Sequence, residues 1–274
     1  MPPDPPEPPL EPAPDPPRQT WQRVGRSVVA AAGAVLTTYL GVCVLLLMVY
    51  AVTWPPITGV QVQRWIEAQT SERVPPRRYN PVPLNRIASD LPLAVVAAED
   101  SRFFKHSGID WSAISKALSE TFYSADTRGG STITQQLVKN LFLTTHSTYL
   151  RKGLELPLTY AAEAILSKRR ILELYLNVIE WGPGVFGAEA AAAHHFGQSA
   201  GELRRWQAAA LAACIPNPLV RTPGRVQWYR RIILERMRTL EQLPSSTYPL
   251  STHGLPSRST VRPTTHLTSS RPHD

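Results

Sequence analysis

Two cysteines in 274 residues cannot form a disulfide framework. Cys43 lies in a long apolar run and Cys214 in an Ala-rich segment expected to be helical, so pairing is geometrically implausible and each reads as a small core residue. Lysine is also scarce. Only five of the 29 basic residues are Lys, at positions 105, 116, 139, 152 and 168, all between residues 99 and 170, a clustering that fits either a need for an ammonium there or chance. Alternating apolar and polar runs are missing, and so is any internal repeat, which excludes a sheet-built fold and a solenoid. The fold class expected is all-α, with at most a minor hairpin.

Charge is absent from Val28 to Trp54, 27 consecutive residues. At about 1.5 Å per residue this run crosses a hydrocarbon core of roughly 30 Å with some tilt. It is about twice as long as the apolar region of a cleaved signal, so an uncleaved anchor is expected. Arg18, Arg23 and Arg26 precede it with no acidic residue among them, whereas Arg64 and Arg73 follow at a distance. The positive-inside rule then puts the N-terminal tail in the cytoplasm and the rest outside.

The ends cannot bury a core. Ten of the 27 prolines fall in residues 2 to 17 beside Asp4, Glu7, Glu11 and Asp15, and residues 244 to 274 are dominated by Ser, Thr and Pro. The expected organisation is a disordered tail over 1–27, a transmembrane signal-anchor helix over 28–54, one domain over 55–243, and a second disordered tail over 244–274. That domain holds 23 Lys plus Arg against 16 Asp plus Glu. A basic domain tethered at a membrane suits anionic lipid head groups or phosphate-bearing substrates, and an exported chain rarely meets nucleic acid.

Apolar periodicity predicts helices over Ser101 to Tyr123, Ile133 to Leu143 (capped by Ser131 or Thr132), Arg151 to Asn177, Ala188 to Phe196, Leu203 to Ile215 and Val226 to Leu243. Pro157 should start or kink a helix within the long third segment. Arg169 and Glu173 stand at i,i+4 spacing there.

Three clusters carry chemistry. In Glu99-Asp100-Ser101-Arg102-Phe103-Phe104-Lys105-His106, a helix would put Glu99, Phe103 and His106 on one face, suiting a general base held against an apolar wall. Arg128-Gly129-Gly130-Ser131-Thr132-Ile133-Thr134-Gln135-Gln136, followed by Lys139, opens a helix whose free N–H groups favour an anion; a phosphate there meets Arg128, Ser131, Gln135 and Lys139. Arg151-Lys152-Gly153-Leu154-Glu155 sets two cations within a turn of a carboxylate, suited to a pyrophosphate leaving group. Each has a plainer alternative that the residues alone leave open: a solvated Glu-Asp pair, a Gly-Gly turn with a Ser or Thr cap, and a solvated Arg-Lys-Glu helix face.

In their order, these clusters resemble the peptidoglycan glycosyltransferases, glycosyltransferase family 51. Residues 99 to 108 look like its Glu-Asp-x-x-Phe-x-x-His-x-Gly motif, residues 129 to 136 match Gly-Gly-Ser-Thr-Ile-Thr-Gln-Gln in full, and 151 to 155 match Arg-Lys-x-x-Glu. Lys168 to Asn177 and Gly187 to Ala191 resemble the segments that follow, so the similarity runs from about Leu91 to Leu240. The chain departs from the pattern at Pro157, His195 and Gln198. It contains no Ser-x-x-Lys and no Lys-Thr-Gly or Lys-Ser-Gly, so the resemblance points to the monofunctional members without a transpeptidase.

The resemblance implies a lysozyme-like helical domain that polymerises lipid II, joining the glycan's reducing-end C1 to the acceptor's 4-hydroxyl with inversion and releasing undecaprenyl pyrophosphate. Glu99 matches the general base and Glu155 the second carboxylate near the donor pyrophosphate. Arg128, Ser131, Gln135, Lys139, Arg151 and Lys152 stand at positions that bind phosphates or sugar. By analogy, an apolar segment around Ala117 to Tyr123 and Leu141 to Leu143 dips into the membrane to take the substrate. The implied partners are lipid II, the growing glycan strand, membrane lipid and cell-wall synthesis or division proteins, at the bacterial cytoplasmic membrane with the domain on the periplasmic side. A divalent metal, Mg or Mn, is left open, its ligands unknown. Two rivals stand beside this reading: a lytic transglycosylase or muramidase, which would not need the cationic cluster, and an inactive cell-wall scaffold.

Overall fold

The computed structural model describes residues 18–69, 76–115, 130–146, 148–244 and 249. The expectations placed on residues 1–17, on Ala117 to Tyr123 and Arg128, and on most of the C-terminal tail lie outside them.

Helix α1, Arg18–Tyr50, contains one candidate membrane span, Val24–Tyr50. Its apolar side chains Val28, Val29 and Val35 are exposed, and the helix becomes buried only near its end, at Cys43, Leu47 and Tyr50. The chain then turns into α2, Gly59–Gln69. A Cβ on Gly59 would lie 2.5 Å from the Leu143 carbonyl oxygen, so glycine allows that close approach.

Helix α3, Asp90–Glu99, is buried on all sides from Leu91 to Ala97, as its almost continuous apolar sequence requires. It packs on α8 (Arg205–Ala212) and α9 (Gln227–Glu241). A second group forms around α4, Ile133–Phe142, which packs on α2, on α5 (Tyr149–Ile165) and on α6 (Lys168–Val178). Helix α1 lies against α5. Helix α7, Ala188–Phe196, follows a small sheet of β1 (Arg78–Tyr79), β2 (Glu180–Gly182) and β3 (Val185–Phe186) in the order β1-β3-β2, with β1 parallel and β2 antiparallel to β3. Helices dominate, as expected, with this sheet as the minor β component.

Several local expectations change. The helix over Ser101 to Tyr123 does not form as one piece. Helix α3 ends at Glu99, Phe103–Lys105 is a single 3₁₀ turn, and Gly108 adopts φ +91°, a left-handed conformation that only glycine takes without strain. A Cβ on Gly108 would also lie 2.7 Å from Thr159 Cγ2. Among the described residues, helix resumes only at 111–115. The segment from Arg151 to Asn177 breaks at Leu166–Ser167, not at Pro157, because Ser167 caps α6 by accepting from the Arg170 amide. Pro157 stays inside α5 on its exposed side, where water can satisfy the carbonyl of Gly153 that loses its donor. Glu173 pairs with Arg170 rather than Arg169. Arg170 also donates to the carbonyls of Tyr50 and Thr53 and lies over the Trp54 ring, binding the end of α1 to α6. Helix α8 stops at Ala212, so Cys214 lies in the turn beyond it, buried and free, as is Cys43.

Leu141 and Leu143 are buried in the core and Phe142 is packed against it, so this segment does not face lipid. Its contact with the apolar run is internal, since the Tyr39 hydroxyl donates to the Phe142 carbonyl at 2.9 Å.

Candidate active site

Glu99 is the last residue of α3, at the junction where the C-terminal end of α3 meets α4. The carbonyls of the final turn are held from α9: Tyr229 donates to Ala98 O at 3.4 Å and Arg236 to Ala97 O at 3.5 Å. The helix end, and with it the Glu99 carboxylate, is thereby fixed.

The start of α4 is tied to the residue after Glu99. Thr132 caps the helix in a reciprocal box with Gln135 and donates its hydroxyl to Gly108 O. The free amide of Ile133 donates to Asp100 Oδ2 at 3.1 Å, and His106 Nε2 lies 3.0 Å from both Asp100 oxygens. Phe103 is fully buried beneath this loop, with the Lys168 ammonium 4.4 Å from its ring centre. The expected common face of Glu99, Phe103 and His106 is therefore not formed: the helix ends between them, and His106 serves Asp100 instead of the base.

Glu99 accepts a hydrogen bond from Gln136 Nε2 at 2.8 Å, and Gln136 Oε1 accepts one from the Tyr175 hydroxyl at 2.7 Å. Burial raises the Glu99 carboxyl above its ordinary range; the Gln136 bond and the charges of Lys139 and Arg221 oppose that shift without cancelling it. One turn along α4, Lys139 feels both Glu99 and Glu155. Burial lowers its ammonium, and Glu155 opposes this most strongly.

Beyond Lys139 lies the cationic cluster. Glu155 is 2% exposed, and its two oxygens are taken by Arg151 Nη1 and by Lys152 Nζ at 3.0 Å. Lys152 Nζ is 3.4 Å from Ser131 Oγ. Among the described residues, the buried Arg151 Nε has no hydrogen-bond partner. The structure thus brings Ser131, Lys139, Arg151, Lys152 and Glu155 together, with Glu99 on the other side of Lys139. Gln135 stands at the same helix entrance, but its side-chain carbonyl closes the cap. Arg128 is outside the described residues.

A cavity of about 270 Å³ opens beside Gln136 and Lys139. Asn140 and Tyr175 line it with them, α2 contributes Val60 and Arg64, and the turn Ile215 to Leu219 forms another wall. Glu180 also faces it, 2.8 Å from Arg64 Nε, its carboxyl raised by burial against the pull of Arg64.

Among the described residues, none fits a resident divalent metal here. Among the described residues one cluster has ligand-like spacing, Asp100, His106 and Asp110, but its carboxylates already accept from the amides of Ile133 and Ala113 and face Arg102 and His106. Those donors occupy the positions an ion would need. Glu155 is likewise filled by two cations.

Gln136, Tyr175, Arg64 and Glu180 escaped the sequence reading. One signal was available for Gln136: once Thr132 is the cap, Gln135 is the residue that completes the capping box, leaving its neighbour free to reach elsewhere. Tyr175 shares a buried face with Ile171 and Leu172 and reads as core.

The family model described as Transglycosylase matches residues 67–238. The chain belongs to the transglycosylase family. The match spans every part of this transglycosylase's cleft that comes from α3 through α9, leaving Val60 and Arg64 before its start. Curated relatives agree. A protein of Bordetella pertussis is 42% identical over 233 residues, covering 82% of this chain and 96% of its own length. One from Bordetella avium is 51% identical over 172 residues, 60% of this chain and 72% of its own. One from Pseudomonas fluorescens is 48% identical over 177 residues, 65% and 74% respectively. All three are named biosynthetic peptidoglycan transglycosylase.

Proposed function

We propose that this transglycosylase is a peptidoglycan glycosyltransferase that polymerises lipid II into glycan strands with inversion and release of undecaprenyl pyrophosphate. The observation that carries the reading is the separation of two functions across Lys139. Glu99, a buried carboxylate of raised proton affinity, stands on one side, and two cations hold a single carboxylate, Glu155, on the other. Glu99 takes the proton from the acceptor's 4-hydroxyl as that oxygen bonds to the donor C1. The bond from C1 to the pyrophosphate oxygen breaks, and Lys139, Arg151 and Lys152 receive the departing negative charge. Both oxygens of Glu155 are engaged by cations, so its part is to hold Arg151 and Lys152 in place and not to meet an anion directly. A neutral glycosidic bond being cleaved would give these cations nothing to stabilise, which favours synthesis over lysis.

The setting supports a lipid-linked substrate. Exposed Val28, Val29 and Val35 on α1 need an apolar medium. Helix α5, packed on α1, exposes Tyr149, Leu150, Leu156 and Tyr160 in the same region of the molecule. In this reading α1 anchors the chain in the bacterial cytoplasmic membrane with residues 55–243 on the outer side and the tail 1–27 inside. Cell-wall synthesis or division proteins are its expected neighbours.

The test is polymerisation of labelled lipid II in detergent by wild type, Glu99→Gln and Glu155→Gln, read as glycan on a gel. Polymer from wild type and none from Glu99→Gln supports the assignment. Cleavage of preformed glycan without polymer identifies a lytic enzyme, and neither activity, in conditions where a relative works, identifies a scaffold.

A further inference from the structure

We propose that Tyr175 is a positioning residue for Glu99: its hydroxyl locks the side-chain amide of Gln136 in the orientation that presents an N–H, and not a carbonyl, to the base. The inference rests on the glycosyltransferase reading above and adds a residue and a role to it.

An amide side chain is nearly symmetric in shape and opposite in chemistry at its two ends, so its neighbours decide which end points where. Gln136 has two such neighbours. Tyr175 is fully buried on α6, against α4, and its O–H lies 2.7 Å from Gln136 Oε1. A buried phenol needs an acceptor for its proton, and this carbonyl provides it. With the carbonyl taken, Nε2 is left 2.8 Å from Glu99 Oε2.

The consequence is chemical. An ionised carboxylate only accepts hydrogen bonds, so it matches an N–H and is repelled by a carbonyl. The reversed amide would suit Glu99 only when Glu99 carries a proton, the form that cannot act as a base. Tyr175 excludes that arrangement through its bond to Gln136. Among the described residues, the other charged groups acting on Glu99 are Lys139 on α4, Arg221 after α8 and the adjacent Asp100. Gln136 supplies a directional bond, and Tyr175 supplies its direction.

The test is the pH profile of kcat/KM for lipid II polymerisation by wild type, Tyr175→Phe, Gln136→Met and the double variant, with thermal unfolding of each as a check on folding. Losing the lock lets the amide turn and favours protonated Glu99. The acid limb should then move up by about one pH unit, a roughly tenfold loss on the acid side, with activity largely recovered at higher pH. Gln136→Met should shift the limb in the same direction, and Tyr175→Phe added to it should shift the limb no further. A uniform fall at every pH, or a further limb shift in the double variant, overturns the proposal. If Tyr175→Phe does not fold, Gln136→Met decides alone, since an unmoved limb there removes the bond through which Tyr175 would act. Glu99→Gln in the same assay separates the two levels: retained polymerisation refutes Glu99 as the base, whereas its loss beside an unmoved limb in Tyr175→Phe refutes only the lock.

Discussion

Replacing Glu155 by Gln tests the cationic cluster most sharply, because the structure assigns unequal weight to its two ion pairs. Arg151 is 9% exposed and loses the carboxylate it pairs with, while Lys152, with its side chain 49% exposed, can turn to water. Breaking a buried pair by removing one partner costs about 3–5 kcal/mol, whereas an exposed pair contributes about 1 kcal/mol or less. Glu155→Gln should therefore lose about 3 kcal/mol, nearly all through Arg151. For a domain of this size that lowers the midpoint of thermal unfolding by about 6–12 °C. The companion is Arg151→Met with Glu155→Leu, which replaces the buried pair by apolar side chains of similar volume and should recover most of the loss. Calorimetry in detergent, alongside lipid II polymerisation, gives both readouts. The double variant should be nearly as stable as wild type and inactive, because Arg151 is needed for the leaving group. If Glu155→Gln melts within 2 °C of wild type, or the restored double variant polymerises normally, the account of this cluster is wrong.

Three further outcomes follow from the same geometry. Burial raises the Glu99 carboxyl, so the folded state binds a proton more tightly than the unfolded chain, and its contribution to stability falls as pH rises from the unfolded toward the folded value. Glu99→Gln should thus melt above wild type at neutral pH and lose that advantage below about pH 4, where both forms are neutral; a melting difference independent of pH would refute the assignment. Gly108→Ala forces a side chain into φ +91° and against Thr159 Cγ2 at 2.7 Å, so it should cost more than about 1 kcal/mol in denaturant titration and reduce polymerisation with it. Arg170→Met frees the carbonyls of Tyr50 and Thr53 and should speed proteolysis between residues 51 and 58 while leaving the catalytic pH profile in place. Unchanged cleavage would show that Arg170 does not secure this junction.

Two helices that form where the periodicity predicts them are ended by local chemistry. Thr132 caps α4, and Gly197, left-handed at φ 66°, ends α7. Two of the departures depend on more than the local sequence. The segment after Glu99 could not be read as a turn because what holds it is Asp100 reaching the Ile133 amide and Gly108 lying on Thr159, contacts across 33 and 51 positions of chain. Pro157 looked like a helix boundary because its lost hydrogen bond can be counted from sequence, while its exposure to solvent cannot.

By itself, the sequence determined the helical class, the apolar run that can span a membrane, and the residue types for an anionic substrate, since composition, period and motif order are properties of the chain alone. Tertiary structure decided which of those residues meet. The packing of α3, α4 and α5 brings Glu99 and Glu155 within electrostatic reach of Lys139, and α6 buries Tyr175 behind Gln136. Burial and hydrogen-bond polarity set the proton affinity of a carboxylate, and both arise only when segments far apart in sequence pack against one another.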